Sequence, residues 1–179
     1  SVLHLDLVRG EGQLDAALNA APEGLTLSLG LIDGRNIWKA DLNRAVELAE
    51  KAAAKLSAER ILIASSCSLL HSPVDLSGET RLNPEVKDWL AFARQKLDEI
   101  VVVRRAINEG RDAVQAELDA NRESLTRRRN SPLVSNPAVR QRVQAVQEKD
   151  FCRQSGYEVR HQVQQTALRR VNCVSSGLA

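Results

Sequence analysis

The sequence predicts an α/β fold, in which β-strands alternate with α-helices over residues 1–105 and only helices follow. Apolar runs of strand length recur in three units of roughly 35 residues, close to the roughly 31 residues per unit of a complete (β/α)8 barrel. Each run precedes a segment with helical apolar spacing, which is typical of parallel strands joined by right-handed crossovers. An open doubly wound sheet fits this period almost as well, although no G-x-G-x-x-G follows any strand.

The first two units each pair a strand with a helix. Residues 2–8 form the first predicted strand, and apolar residues four positions apart indicate a short helix over residues 13–21. The second strand covers residues 25–32, and its helix runs from an N-cap at Asp41 to about residue 58. Spacings of four and three residues give that helix one apolar stripe, formed by Leu42, Val46, Ala49, Ala53 and Leu56.

The third strand, residues 61–65, leads into small polar residues that include one thiol and one imidazole. The next helix is predicted to begin behind an Asn83 cap with Pro84 at its first position, and to continue without a break to Gly110. Its buried face is expected to consist of Val86, Leu90, Ala93, Leu97, Ile100 and Ile107.

After Gly110 the pattern contains no further strands. Residues 111–129 indicate a polar helix, and another helix begins at Pro137 behind an Asn136 cap. Because this half has a thin hydrophobic stripe and many charges, we expect a helical arm that packs against other protein.

Composition limits the classes of function. The 179 residues are 43% hydrophobic and 27% charged, an ordinary balance for a soluble globular protein. The net charge of +2 and the 3% aromatic content argue against nucleic-acid binding. No apolar run reaches the roughly 18 residues of a membrane span, so no membrane partner is expected. The three cysteines are odd in number and far apart, which favours a reducing cytoplasm over a disulfide framework.

The two ends of the sequence have unusual features. The chain contains no methionine and begins inside the first strand pattern, and residues 171–179 show neither helical period nor strand alternation. We therefore expect both ends to have been cut from a longer sequence.

Candidate site residues lie where each predicted strand ends, because parallel α/β folds carry their chemistry at the carboxyl ends of strands. Asp6 ends the first strand. The other candidates for substrate binding are Asp33, Arg35, Asn36, Cys67 and His71. Arg35 has the charge to bind an anion, with Gly34 permitting a tight turn; alternatively, Asp33 and Arg35 pair with neighbouring loops and hold the turn.

Cys67 and His71 allow three interpretations. They are a nucleophilic pair, half of a metal site, or a buried thiol and a polar loop histidine. Zinc requires about four N, S or O ligands, and C-x-x-x-H supplies two. The residues alone therefore indicate part of an α/β barrel and do not identify a reaction.

Five segments carry a resemblance to a known family: residues 3–8 (LHLDLV), 30–42 (GLIDGRNIWKADL), 64–76 (ASSCSLLHSPVDL), 79–82 (ETRL) and 136–139 (NPAV). Together they resemble cobalamin-independent methionine synthase, in register over about residues 2–160. Members of that family consist of two barrels joined by a helical connector. The resemblance implies that residues 1–105 are the last three βα units of the N-terminal (β/α)8 barrel, 106–170 the interdomain connector, and 171–179 a divergent tail.

The resemblance also implies where the family's chemistry lies. The catalytic zinc is held by His, Cys, Glu and Cys of the C-terminal barrel, and the homocysteine-binding Ile-Gly-Ser motif should follow the connector; neither is found in this chain, which departs from the family near His161. Cys67 lacks companion ligands and is interpreted as a relic position. We therefore expect no catalytic residue and no bound zinc here.

Three hypotheses follow. In the first, the chain is a fragment or truncated form of the synthase, inactive alone, whose full-length enzyme transfers a methyl group from 5-methyltetrahydropteroyltriglutamate to homocysteine in methionine biosynthesis. The parent enzyme is then a cytoplasmic monomer, and the fragment self-associates through unpaired strand edges. In the second, the chain is a non-catalytic module that docks a partner through its helical arm and open sheet edges. In the third, it is a small enzyme that uses Cys67 and His71.

Overall fold

The computed structural model describes residues 1–153 and 155–168. Within them, β1 (Val2–Asp6), β2 (Thr26–Ile32) and β3 (Ile61–Ser65) form one parallel sheet in the order β1-β2-β3. The prediction of adjacent parallel strands in sequence order, and with it an α/β fold, is confirmed. The predicted divergent tail, residues 171–179, lies outside the described residues.

Helices follow each strand, joined by loops and short 3-10 turns. They are α1 (Gln13–Ala20), α2 (Leu42–Leu56), α3 (Pro84–Asp88), α4 (Ala93–Glu109), α5 (Gln115–Asn130), α6 (Pro137–Gln144) and α7 (Tyr157–Leu168). The predicted caps are present, since Asp41 accepts the Arg44 N–H at 3.1 Å and Asn136 accepts the Ala138 N–H at 2.9 Å. None of the helices in the described ranges is long and apolar enough to cross a membrane.

The core lies between the sheet and the helices. Alternate residues of the strands form apolar rows across the sheet, such as Leu5–Leu29–Ile63. Leu29 and Val46 of α2 are fully buried in this core, and so is Val103 of α4. The opposite face of the sheet carries the row His4–Ser28–Leu62, and Leu62 is half exposed there.

The predicted continuous helix from Pro84 to Gly110 is wrong, because the chain leaves the helix after Asp88 and resumes it at Ala93. The break is stabilised by pairing with the loop that follows β2: the Ala91 N–H donates to the Ile37 carbonyl at 2.8 Å, and the Lys39 N–H donates to the Trp89 carbonyl at 2.9 Å. A second small cluster buries Leu90 and Phe92 beside the break.

Restarting the helix at Ala93 changes which of its residues face the core. Leu97, predicted to be buried, is 53% exposed. The buried positions of α4 are Lys96, Glu99, Val103 and Ala106, spaced three, four and three residues apart. Two charged side chains therefore occupy the inner face of this helix.

The chain divides into two compact units, Ser1–Val134 and a second beginning at Ser135. Helix α5 belongs to the first unit, where Val114 and Leu118 at its start are buried in the main core. The sequence instead assigned residues 106–170, which include α5, to the helical connector. The predicted boundary at residue 105 separates parts of the family's enzymes, and it stays a prediction.

Candidate functional site

The ends of β1 and β2 are joined by one arginine that sequence analysis missed. Arg9 donates to the Asp6 carboxylate at 3.4 Å and to Asp33 at 3.2 and 3.3 Å. Asp6 also accepts the backbone N–H groups of Val8 and Arg9, both at 3.1 Å. The carboxyl ends of these parallel strands therefore meet at one edge, as predicted, and Arg9 bridges their two acids.

Asp33 organises the turn after β2. One oxygen accepts the Arg35 N–H at 2.8 Å and the other accepts the Asn36 side-chain amide at 2.8 Å, in addition to Arg9. A carboxylate that accepts this many hydrogen bonds has little capacity left to act as a base or ligand. Arg35 is exposed and its guanidinium has no hydrogen bond or ion pair within residues 1–153 and 155–168. Of the two interpretations of the turn, Asp33 fits the structural one, and Arg35 keeps its anion-binding interpretation as a prediction.

Cys67 lies against the turn at Gly34. The Gly34 N–H donates to Ser66 Oγ at 3.2 Å, and a Cβ added at Gly34 would lie 2.7 Å from the Cys67 carbonyl oxygen and 3.0 Å from its Sγ. Only glycine fits this approach. The β2 and β3 loops are therefore in direct contact.

Cys67 and His71 are not brought together as a catalytic pair. The half-buried Cys67 thiol donates to the Ser68 carbonyl at 3.6 Å, while His71 lies exposed in the 3-10 turn Leu69–His71. Within the described residues no hydrogen bond joins the two side chains, and no group of three or more His, Cys, Asp or Glu is placed to hold a metal ion. The residues present do not fit a catalytic zinc, which takes three protein ligands.

A buried lysine of α4 supports the turn after β2, residues 33–36 (the strand-end turn). Lys96 is fully buried, and its Nζ donates to Asn36 Oδ1 at 3.3 Å and to the Trp38 carbonyl at 3.0 Å. Burial lowers the pKa of its ammonium group. Asn36 thereby connects Lys96 to Asp33, so the turn is anchored to α4.

Glu99, one turn further along α4, holds the next part of the same loop. Its Oε1 accepts the Ala40 N–H at 2.9 Å, whereas its buried Oε2 has no hydrogen-bond partner in the described part of the chain. Burial raises the pKa of this carboxyl to about 7. Asn121 of α5 completes the arrangement by donating to the Ala40 carbonyl at 2.9 Å and accepting the Leu42 N–H at 3.1 Å.

Sequence analysis missed Lys96, Glu99 and Asn121 because they lie in helices distant in sequence from the loop. One signal was available for Lys96 and Glu99: with Val103 they follow the three- and four-residue spacing of a buried stripe. Which stripe of α4 faces the core becomes clear only once the helix is known to restart at Ala93.

On the open face of the sheet, a histidine joins β1, β2 and the loop after β3. The His4 ring contacts Ser28 Oγ at 2.9 Å and the Ser66 carbonyl at 3.3 Å through its two nitrogens. Because a carbonyl only accepts, Nε2 donates to Ser66; in the neutral form of the ring, Nδ1 then accepts from the Ser28 hydroxyl. Among the described residues, hydrogen bonds and ion pairs thus connect the strand ends, and none of these bonds joins the Cys67 thiol to a basic side chain.

Comparisons with known proteins agree with the residues that suggested a family. Residues 1–57 match the family model described as the N-terminal domain of cobalamin-independent synthase. A 5-methyltetrahydropteroyltriglutamate–homocysteine methyltransferase of Parvibaculum lavamentivorans is 51% identical over 144 residues, which is 80% of this chain and 19% of the relative. Enzymes of the same name from Syntrophotalea carbinolica and Caulobacter vibrioides are 48% and 45% identical, each over 93% of this chain and over 22% and 21% of their own lengths.

The matched region covers nearly all of the described residues, including the turn at Asp33 and the helices that support it. The chain spans about a fifth of the length of these curated relatives. On this sequence similarity, the chain belongs to the cobalamin-independent methionine synthase family.

Proposed function

We propose that this chain forms the last three βα units of the N-terminal (β/α)8 barrel, and the beginning of the interdomain connector, of an enzyme that transfers a methyl group from 5-methyltetrahydropteroyltriglutamate to homocysteine. The proposal rests on sequence identity: this chain is 44–51% identical, over 80–93% of its length, to enzymes named 5-methyltetrahydropteroyltriglutamate–homocysteine methyltransferase. In this proposal the enzyme is a cytoplasmic monomer of methionine biosynthesis.

Two features of the sheet support assignment to a barrel. Helices cover one face, and the other is left open, with the row His4–Ser28–Leu62 across it and Leu62 half exposed, where the side chains of further barrel strands would pack. A Cβ at Gly30 would lie 2.7 Å from the Leu5 carbonyl oxygen and 2.8 Å from Ser66 Cα, so this face is already crowded near the strand ends. In the described residues β1 and β3 each have one neighbour, which leaves one edge of each available for a further barrel strand.

The proposed role of the chain is structural support, with catalysis elsewhere in the enzyme. Asp6 and Asp33 are committed to Arg9, and Cys67 has no base within hydrogen-bond distance in the described residues. The family's zinc would therefore be held outside this chain. We propose that the isolated chain transfers no methyl group.

A segment exchange tests the proposal. The aligned segment of the Caulobacter vibrioides relative is replaced by the matching residues of this chain, and the chimera is assayed for methyl transfer and for growth without methionine of a strain that lacks its own synthase. We expect activity from the chimera and none from the isolated chain. A folded but inactive chimera would contradict the assignment.

The isolated chain provides the second arm of the test. After dialysis against a mild chelator at neutral pH, we expect it to retain no stoichiometric zinc, because Cys67 and His71 supply at most two ligands. Zinc that persists in the native chain and is lost in Cys67→Ser would show that the chain has a metal site of its own.

The alternative function is a non-catalytic docking module, favoured by one observation. Apolar side chains on α6 and α7 are exposed, including Val139, Val143, Val159 and Val163. Under this alternative the chain would be monodisperse by itself, and the chimera would fold without transferring methyl groups. The segment exchange therefore discriminates between the two functions.

A further inference from the structure

We propose that a cavity between α4, α5 and the loop before α2 binds a small organic ammonium ion. The cavity has a volume of about 250 Å³ and an apolar floor that includes Leu42, Leu90 and Val102. Three carboxylates, of Asp98, Glu99 and Glu117, stand on its walls. It lies on the helical side of the sheet within the first compact unit, so it requires neither the missing barrel strands nor methyl-transfer activity.

The strongest indication of a ligand is the unpaired, buried carboxyl of Glu99. This observation does not depend on the charges of the other acids. Glu99 is only 7% exposed, and while Oε1 accepts the Ala40 N–H, Oε2 has no partner among the described residues. Buried carboxyl oxygens are normally paired. Because Glu99 lines the cavity, a donor bound there can supply the partner that its carboxylate lacks.

One cation, Lys39, lines the cavity itself, but it and Lys96 of α4 both donate to other partners. The Lys39 Nζ donates to Asp88 at 3.2 Å and to Ser124 at 3.3 Å. The Lys96 Nζ donates to Asn36 and Trp38, on the side of the strand-end turn. No internal ammonium therefore donates to Oε2 in the described chain.

Acids outnumber cations on the cavity wall, which carries Asp98, Glu99 and Glu117 against Lys39. Glu117 is paired with Arg105 at 2.8 Å, while Asp98 is exposed and adds a negative charge beside Glu99. The three carboxylates line the cavity without forming a metal site, because no group of three or more His, Cys, Asp or Glu in the described residues is placed to hold a metal ion. An ammonium head with a short alkyl body matches both the acidic wall and the apolar floor.

Proton and ammonium compete for the same carboxyl. Because burial raises the pKa of Glu99 to about 7, the ionised fraction rises about tenfold between pH 6 and pH 8, and affinity for an ammonium rises with it. Lys39 and Lys96 favour the ionised form, whereas Asp98 opposes it. Glu117 is the remaining acid on the wall and is neutralised by its arginine.

The experiment measures binding of n-butylammonium chloride to the 179-residue chain by saturation-transfer NMR, at pH 6 and pH 8 and constant ionic strength. This method observes the ligand, so self-association of the chain does not prevent it. n-Butanol serves as the uncharged ligand of similar shape. We expect affinity for the ammonium to be about tenfold higher at pH 8 than at pH 6, and the alcohol to bind weakly at both.

Three variants locate the site. Glu99→Gln removes the carboxylate and should abolish the pH dependence, with an affinity at pH 8 about tenfold below that of the native chain. Asp98→Asn, a change at an exposed position, should lower affinity about two- to fivefold. Glu123→Gln removes an exposed charge of α5 outside the cavity and should change nothing. Equal binding of alcohol and ammonium, no binding at pH 8, or native affinity in Glu99→Gln would overturn the proposal.

Discussion

Replacing Glu99 with glutamine should stabilise the protein above neutral pH. In the folded chain burial raises the pKa of this carboxyl from 4.5 to about 7, so the folded state holds a proton that the unfolded state has already released. The contribution of this proton to the free energy of unfolding is therefore fully present below pH 4.5 and is lost as the pH rises toward 7. At about 1.4 kcal/mol per pH unit, the loss reaches about 3 kcal/mol above pH 7.

Glutamine does not ionise and keeps an oxygen to accept the Ala40 N–H. Glu99→Gln should therefore not lose this stability as the pH rises. At pH 8 its free energy of unfolding should exceed that of the native chain by up to about 3 kcal/mol. Its buried amide has no assured acceptor, which offsets this gain by about 1 kcal/mol at every pH. At pH 4 the variant should consequently be equal to the native chain or slightly less stable.

Urea unfolding followed by circular dichroism between pH 4 and pH 9 measures both curves. Glu123→Gln, a change from glutamate to glutamine on an exposed part of α5, is the matched control and should reproduce the native pH profile. A native chain whose stability does not fall between pH 5 and pH 8, or a Glu99→Gln variant that falls in parallel with it, would refute the reasoning that Glu99 is protonated in the fold.

Three further substitutions test the supports of the strand-end turn and the sheet. Gly34→Ala places a Cβ 2.7 Å from a backbone oxygen and should destabilise the fold by about 1–3 kcal/mol in urea unfolding, whereas Gly12→Ala, with no atom within 4 Å, should not. Lys96→Met removes the donor to two acceptors and should cost about 1–3 kcal/mol in the same assay; unchanged stability would show that the loop does not depend on this lysine. Leu62→Lys should reduce self-association in sedimentation, because it puts a charge on the open sheet face; Leu70→Lys, in an exposed turn, should leave it unchanged.

Local features of the sequence predicted the strands and several helix starts. The strand at residues 61–65 has the predicted bounds, and Asp41 and Asn136 cap helices as expected. These features depend on neighbours within a few residues, so spacing and cap chemistry identify them. The association of Asp33 with Asn36 belongs to the same class, since both lie in one turn.

The helix break and the buried charges could not be predicted in this way. The break after Asp88 is stabilised by backbone pairing with residues 37–39, about fifty positions earlier in the sequence. Lys96 is buried because its ammonium reaches a carbonyl of that same loop. Its burial depends on the tertiary structure, which overrides the usual preference of lysine for the surface.

These long-range contacts determine how the strand-end edge is held. Lys96 contacts Asn36, Asn36 contacts Asp33, and Arg9 connects Asp33 to Asp6, so a buried group on α4 is linked to both strand ends. Each step is a hydrogen bond of 3.4 Å or less. Substitutions on the inner face of α4 should therefore alter the strand-end turn without contacting it. Under the proposed assignment, such positions would act from a distance on the strand-end edge of the N-terminal barrel.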